Sequence, residues 1–217
     1  MKKYLNLILG CVFLFAFILL IALLNVDKGV IAESLDSVGL SSLNDIVDYK
    51  YNETLDKMSD IIFYFSFVVL LALVIVGIYE LIKNKSLFKV DKYIIVFGIF
   101  VVLSIILWIF FDKVIEINIR PTHEMESSFP STHVFVSTFF ILGGLYYLSS
   151  KLKNNIIKYV LLIVSILLII VVSLLRIKSG MHYITDVCGG IFLGLSLYFI
   201  SVGITNLVDK DNKIEEQ

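Results

Sequence analysis

The sequence predicts an all-α polytopic membrane protein, a bundle of six transmembrane helices in one domain. Two observations carry that prediction. Of the 217 residues, 59% are hydrophobic and 17% charged, with a mean hydropathy of +0.94; a soluble domain is about half apolar and about a quarter charged. The apolar residues are also gathered into six runs, each near the roughly 20 residues that cross a bilayer. The net charge of −1 is uninformative as a sum. Basic clusters with interleaved aromatics are absent, so no nucleic-acid partner is expected. There is no internal repeat and no low-complexity segment.

The first span, residues 4–24, follows Lys2 and Lys3. A basic start and an apolar run also describe a signal peptide, but this run of about 20 residues exceeds the roughly 7–15 of such a core, so an uncleaved span is expected. Residues 25–59 form the longest polar segment between spans. Leu35, Val38, Leu43, Ile46 and Val47 are spaced either for a short amphipathic surface helix or for an acidic solvated loop. The second span, 60–82, has Ser59 as its expected N-cap. After a basic connection comes the third span, 93–111. A polar stretch leads to the fourth span, 133–148. Lys151, Lys153 and Lys158 mark the next connection, before the fifth span, 159–175. A tight break precedes the sixth span, 182–207, and a charged tail follows. Cys11 and Cys188 fall inside apolar runs, where packing is expected and a disulfide is not. Gly190 and Gly194 form a small-xxx-small pair suited to close helix packing.

Counting Lys and Arg on alternate sides gives an orientation. Eleven lie on the side of both termini and seven on the other, three of which belong to the motifs below. The richer side is expected to be cytoplasmic. Residues 113–133 and 176–182 then lie together on the outer face.

Those two breaks hold most of the chemistry-bearing groups, all within residues 113–186. Charge near lipid is costly, so such a cluster is a functional-site hypothesis by default. Lys113, Arg120 and Arg176 each fit a snorkelling span end; as a set beside histidines they fit phosphate oxygens, with arginine forks and a lysine point charge. Pro130-Ser131-Thr132-His133 opens the fourth span. It reads as a well-made helix start, and such a start also offers free N–H groups and a positive dipole end to an anion. His133, in the first turn, suits a general acid. Farther on, His182 and Asp186 are four residues apart. On one helix face, Asp186 accepts the Nδ1–H of His182 and leaves Nε2 free to attack phosphorus. Gly180 is expected to allow the turn that brings Arg176 back over His182. Histidines set among three cations suit an anion better than a divalent metal, so neither a metal nor another cofactor is expected.

These blocks resemble the signature of the type 2 phosphatidic acid phosphatase superfamily, integral-membrane lipid phosphatases related to vanadium haloperoxidases. That signature is a lysine spaced before Arg-Pro, then Pro-Ser-Gly-His, then Ser-Arg leading to His and Asp. The resemblance covers about a third of the chain, with Thr132 where the family has Gly and Leu175 where it has Ser. It implies a two-step, metal-free hydrolysis. His182 becomes a phosphohistidine, Asp186 orients it, and His133 protonates the leaving group and then activates water. Lys113, Arg120, Ser131, Thr132 and Arg176 hold the phosphate. The substrate would be a lipid phosphate or diphosphate such as phosphatidic acid, phosphatidylglycerophosphate or a polyprenyl diphosphate, met in the plasma membrane, with no obligate protein partner. A lipid phosphotransferase with the same site is one alternative, and a non-catalytic lipid transporter or binding protein is another. His123, Glu124 and Glu126 lie between the first two blocks and are expected to be loop residues.

Overall fold

The computed structural model describes residues 4–26, 41–115, 117–122 and 126–215. Its helices are α1 (Leu5–Val26), α2 (Ser41–Asn44), α3 (Glu53–Asn84), α4 (Lys92–Lys113), α5 (Thr132–Lys151), α6 (Asn155–Lys178) and α7 (Ile184–Glu215), with a 3-10 turn at Leu87–Lys89. Six are long and apolar enough to cross a membrane: Leu5–Leu24, Glu53–Asn84, Lys92–Lys113, Thr132–Lys151, Asn155–Lys178 and Ile184–Val208. Helices satisfy their own backbone groups, as a chain in lipid requires. An isolated bridge between Ile119 and Ser127 is the only β pairing among the described residues.

Local chemistry sets the ends. Asp91 and Asn154 cap α4 and α6, accepting the N–H groups of Tyr93 at 2.9 Å and Ile156 at 2.8 Å. The start of α3 corrects the sequence reading. Asn52 is its N-cap, accepting Leu55 N–H at 3.1 Å, and Glu53 and Asp56 place negative charge in the first turn, where the helix dipole favours it. Ser59, expected as the cap, lies inside the helix with its hydroxyl on Asp56 O. Of the segment expected to hold an amphipathic helix, the described residues contain the four of α2, with Leu43 in it and Ile46 and Val47 after it; Leu35 and Val38 lie outside the described residues.

Two helices form the centre. Within the apolar window of α5, 67% is buried, and 56% for α7, against 17–22% for the other four. Phe97, Phe129, Phe135, Phe139 and Phe140 fill the core, each at most 2% exposed. Phe17 of α1 stacks on Phe129 at 5.8 Å. Lipid tails are as apolar as leucine, so helix association in a membrane depends on close packing. Gly190 and Gly194 supply it: a Cβ on either would come within 2.8 Å of a carbonyl oxygen of α5 or its cap, Ser131 O or Phe135 O. The outer helices turn Ile163, Leu167, Ile170 and Leu174 away from the bundle. Cys188 is part of the packing, as expected, whereas Cys11 is exposed on α1; both are free thiols.

Candidate active site

The start of α5 is built around an unfilled hydroxyl. Ser131 is the N-cap residue but makes no side-chain capping bond, and its Oγ is buried without a hydrogen-bond partner. Its backbone N–H donates to Asp186 O at 2.9 Å, which pins this helix start to α7. Thr132 is the first helical residue, and Lys85 is the one non-glycine residue with positive φ among those described. Threonine in the family's glycine position therefore needs no left-handed backbone. The first N–H groups of such a helix have no partner within it and point outward, as an anion site requires.

The break between α6 and α7 folds sharply. Gly180 has φ +75°, and a Cβ there would meet Lys50 O and Thr122 Oγ1 at 2.7 Å. Thr122 Oγ1 donates to Gly180 O at 2.6 Å, and His182 N–H returns to Arg176 O at 3.3 Å. His182 is thus brought back over the end of α6, 5% exposed. The structure corrects the shared helix face expected for His182 and Asp186. α7 begins at Ile184, so His182 precedes it and Asp186 sits in the first turn. There Asp186 Oδ2 accepts Tyr183 N–H at 2.9 Å and Oδ1 accepts Asn118 Nδ2 at 2.7 Å. His182 Nδ1 lies 3.7 Å from Asp186 Oδ2, an ion-pair separation too long for a hydrogen bond. Burial holds the His182 imidazole below its ordinary pKa; Asp186 acts in the opposite sense, while Arg176 and Arg120 add to the lowering. Neutral imidazole, the nucleophilic form, is thereby favoured.

Arg176 and His133 both find partners on α3. Arg176 is 2% exposed. Its Nη1 pairs with Asp56 and donates to Ser59 Oγ at 3.1 Å. One turn on, Asp60 Oδ1 lies 2.8 Å from His133 Nε2, and the Phe63 ring stacks on the imidazole at 4.3 Å. These residues were missed in the sequence because the apolar run begins only after Asp60. Acidic residues at helical spacing ahead of it, at Glu53, Asp56 and Asp60, were the available signal.

The first block divides. The Arg120 side chain is 19% exposed and pairs with Glu126 at 2.8 Å. Lys113 ends α4, 74% exposed, and pairs with its neighbour Asp112 at 2.8 Å; among its described contacts none reaches the histidines. His123 and Glu124 lie outside the described residues. Leu175 packs against the apolar cluster of Val172 and Val187.

The segment before α3 lies against the same turn. Asn44 donates to Thr185 Oγ1 at 3.1 Å and accepts Thr185 N–H at 3.3 Å. Tyr49 Oη accepts Ile184 N–H at 3.3 Å, and its ring meets Tyr183 edge-on at 5.1 Å. Asn52 N–H donates to Ser179 O at 3.0 Å.

Arg176, His182, His133, Ser131 and Asp186 therefore converge at one end of the bundle, with Arg120 close enough to act electrostatically on His182. Comparison with known proteins points the same way. A family model described as PAP2 superfamily matches residues 97–209, just over half of the chain. A phosphatidylglycerophosphatase B of Bacillus subtilis is 30% identical over 95 residues, which are 41% of this chain and 44% of the relative. The match thus spans less than half of that relative's length. Among solved structures, a transmembrane PAP2-type phosphatidylglycerolphosphate phosphatase from Bacillus subtilis superposes with a TM-score of 0.60 at 23% identity, over 90% of this chain and 95% of the other. At that identity the likeness speaks for the fold.

Proposed function

The chain belongs to the PAP2 superfamily, and from that premise we propose that this multi-pass membrane protein hydrolyses a lipid phosphate or diphosphate through a phosphohistidine. The observation that carries the reading is the convergence of a buried arginine, a buried histidine and a helix N-terminus whose Ser131 hydroxyl is buried without a hydrogen-bond partner, at one end of the bundle. In the first step His182 Nε2 attacks phosphorus. A P–N bond forms, the P–O bond to the lipid breaks, and His133 gives its proton to the departing oxygen. In the second step water loses a proton to His133 and attacks the phosphohistidine, so the P–N bond breaks and inorganic phosphate leaves. Arg176, Arg120, Ser131 Oγ and the Thr132 N–H hold the phosphoryl oxygens and offset the charge that develops on them. Asp186 faces Nδ1 of His182 and steadies the imidazolium as it forms. Lys113 would reach the phosphate by exchanging its Asp112 partner for it. The cations supply what a metal would supply elsewhere, so the reaction needs none.

Phosphatidylglycerophosphate comes first among substrates because it appears in the names of both relatives, followed by phosphatidic acid and polyprenyl diphosphate. Lysine and arginine distribution supports a plasma-membrane enzyme with cytoplasmic termini and an outward-facing site. The test is phosphate release from these three lipids by the detergent-solubilised protein, with EDTA present and with His182→Ala alongside. We expect release that EDTA leaves unchanged and the substitution abolishes. Activity that depends on added metal, or that survives His182→Ala, would overturn the mechanism.

A further inference from the structure

We infer that Asp60 is a positioning residue for the acid–base step, making His133 one half of a second histidine–carboxylate pair in the site. The inference rests on the phosphatase reading above and deepens it. Neither Asp60 nor the helix that carries it belongs to the three motif blocks, and the family match begins only at residue 97.

The geometry grips the imidazole twice. Asp60 Oδ1 is 2.8 Å from Nε2, within hydrogen-bonding range. Phe63 stacks on the ring face at 4.3 Å, tilted by 31°. Asp60 and Phe63 are three residues apart on one face of α3, so a single helix sets both the plane of the ring and its rotation within that plane. The two histidines differ in this respect. His182 Nδ1 is 3.7 Å from its carboxylate, whose oxygens are occupied by Asn118 and Tyr183. His133 has the closed bond. The direct bonds of Arg176 go to Asp56 and Ser59 one turn earlier, while the direct bond of Asp60 is to His133. A carboxylate is costly in an otherwise apolar span, and here it has its own cationic-capable partner. A base or acid oriented by a third group is the general form of such sites.

The chemistry follows from the pairing. With Nε2–H held by Asp60, Nδ1 is the nitrogen that exchanges protons with the reaction. It gives one proton to the lipid oxygen as the P–O bond breaks, and takes one from water as the P–N bond breaks. The Asp60 carboxylate offsets the charge of the imidazolium between the two transfers.

Leaving-group dependence separates this role from a merely structural one. A lipid alkoxide needs a proton to depart, whereas a nitrophenolate does not. The full-length protein in detergent is assayed as wild type, Asp60→Asn and Asp60→Glu, on phosphatidic acid and on nitrophenyl phosphate. Asp60→Asn should lower kcat/KM for phosphatidic acid by roughly tenfold or more, part of the 10²–10⁴ that acid–base catalysis contributes, while changing kcat/KM for nitrophenyl phosphate, which reports only phosphoryl transfer to His182, by less than about threefold. Asp60→Glu should recover part of the loss. Equal loss of kcat/KM on both esters, or no loss on either, would overturn the proposal. So would tighter binding with undiminished turnover, because Asp60 would then only have occupied the place of the anion. Phosphate release by His182→Ala would instead overturn the nucleophile on which this proposal rests, and this proposal with it.

Discussion

Asn118 gives its side-chain amide to Asp186 Oδ1 at 2.7 Å and so ties the connection after α4 to the first turn of α7. Asn118 is 9% exposed and Asp186 fully buried. A buried hydrogen bond to a charged group contributes about 1.5–3 kcal/mol. Asn118→Leu keeps the volume and removes the donor. It should lower stability by about that amount, read as an earlier thermal unfolding transition in detergent, and kcat should fall more than KM rises.

The pH profile should carry the signature of a buried histidine as the proposed nucleophile. His182 is held below its ordinary value of 6.5, first by burial. It therefore stays neutral at pH values where an exposed histidine is already protonated, and turns cationic only as pH falls further. The acid limb of kcat/KM for phosphate release should accordingly lie below pH 6.5. Asp186 acts to favour the cation, so Asp186→Asn should move that limb to still lower pH while reducing the plateau.

Arg176 is buried in direct contact with the Asp56 carboxylate, with Asp60 acting from farther off. Removing one partner of such a pair leaves an uncompensated charge and costs about 3–5 kcal/mol. Asp56→Ala should destabilise by that order, and inorganic phosphate should restore part of the loss by taking the vacated place beside the guanidinium. Thermal unfolding with and without phosphate measures both effects; a variant indifferent to phosphate would argue against an anion site at Arg176.

Gly180 holds φ +75°, with Lys50 O and Thr122 Oγ1 at 2.7 Å from any added Cβ. A left-handed backbone costs an ordinary residue about 1–2 kcal/mol, and the contact with Lys50 is backbone that cannot swing away. Gly180→Ala should shift the turn that carries His182, so phosphate release should fall sharply even where the protein remains folded.

Orientation is read by labelling. Lys50 is exposed beside the site-bearing end, with its charge paired to Asp48 at 2.7 Å. In a Cys11→Ser, Cys188→Ser background, Lys50→Cys should react with an impermeant thiol reagent in intact cells. Lys153→Cys should react only after permeabilisation. The reverse pattern would invert the topology.

The six helices were legible because their apolar runs match the bilayer, and the motif residues because charge is conspicuous among leucines. What the sequence concealed is instructive in physical terms. Hydropathy marks where a helix meets lipid, whereas capping marks where it starts. α3 begins eight residues before Ile61, so Asp56 fell outside the expected span, with Ser59 read as its cap and Asp60 as its first residue; together they are a helical face turned toward Arg176 and His133. The spacing of His182 and Asp186 was real, but its meaning changed. Asp186 is spent on Tyr183 N–H and Asn118, long-range and capping bonds that periodicity cannot register. Lys113 shows the converse. Its sequence position fits the first block, yet its side chain turns to Asp112.

Gly190 carries no functional group, yet its missing side chain lets the α7 backbone rest against Ser131 O. The approach of α7 to the start of α5, and with it the spacing between the turn of His182 and Ser131, is therefore metered by the thickness of a hydrogen atom. A methyl group at that position would work as a wedge, lengthening the path from His182 to the phosphoryl oxygens without touching either. The spacing of the proposed site is thus set by a residue that no chemical inventory of it would include.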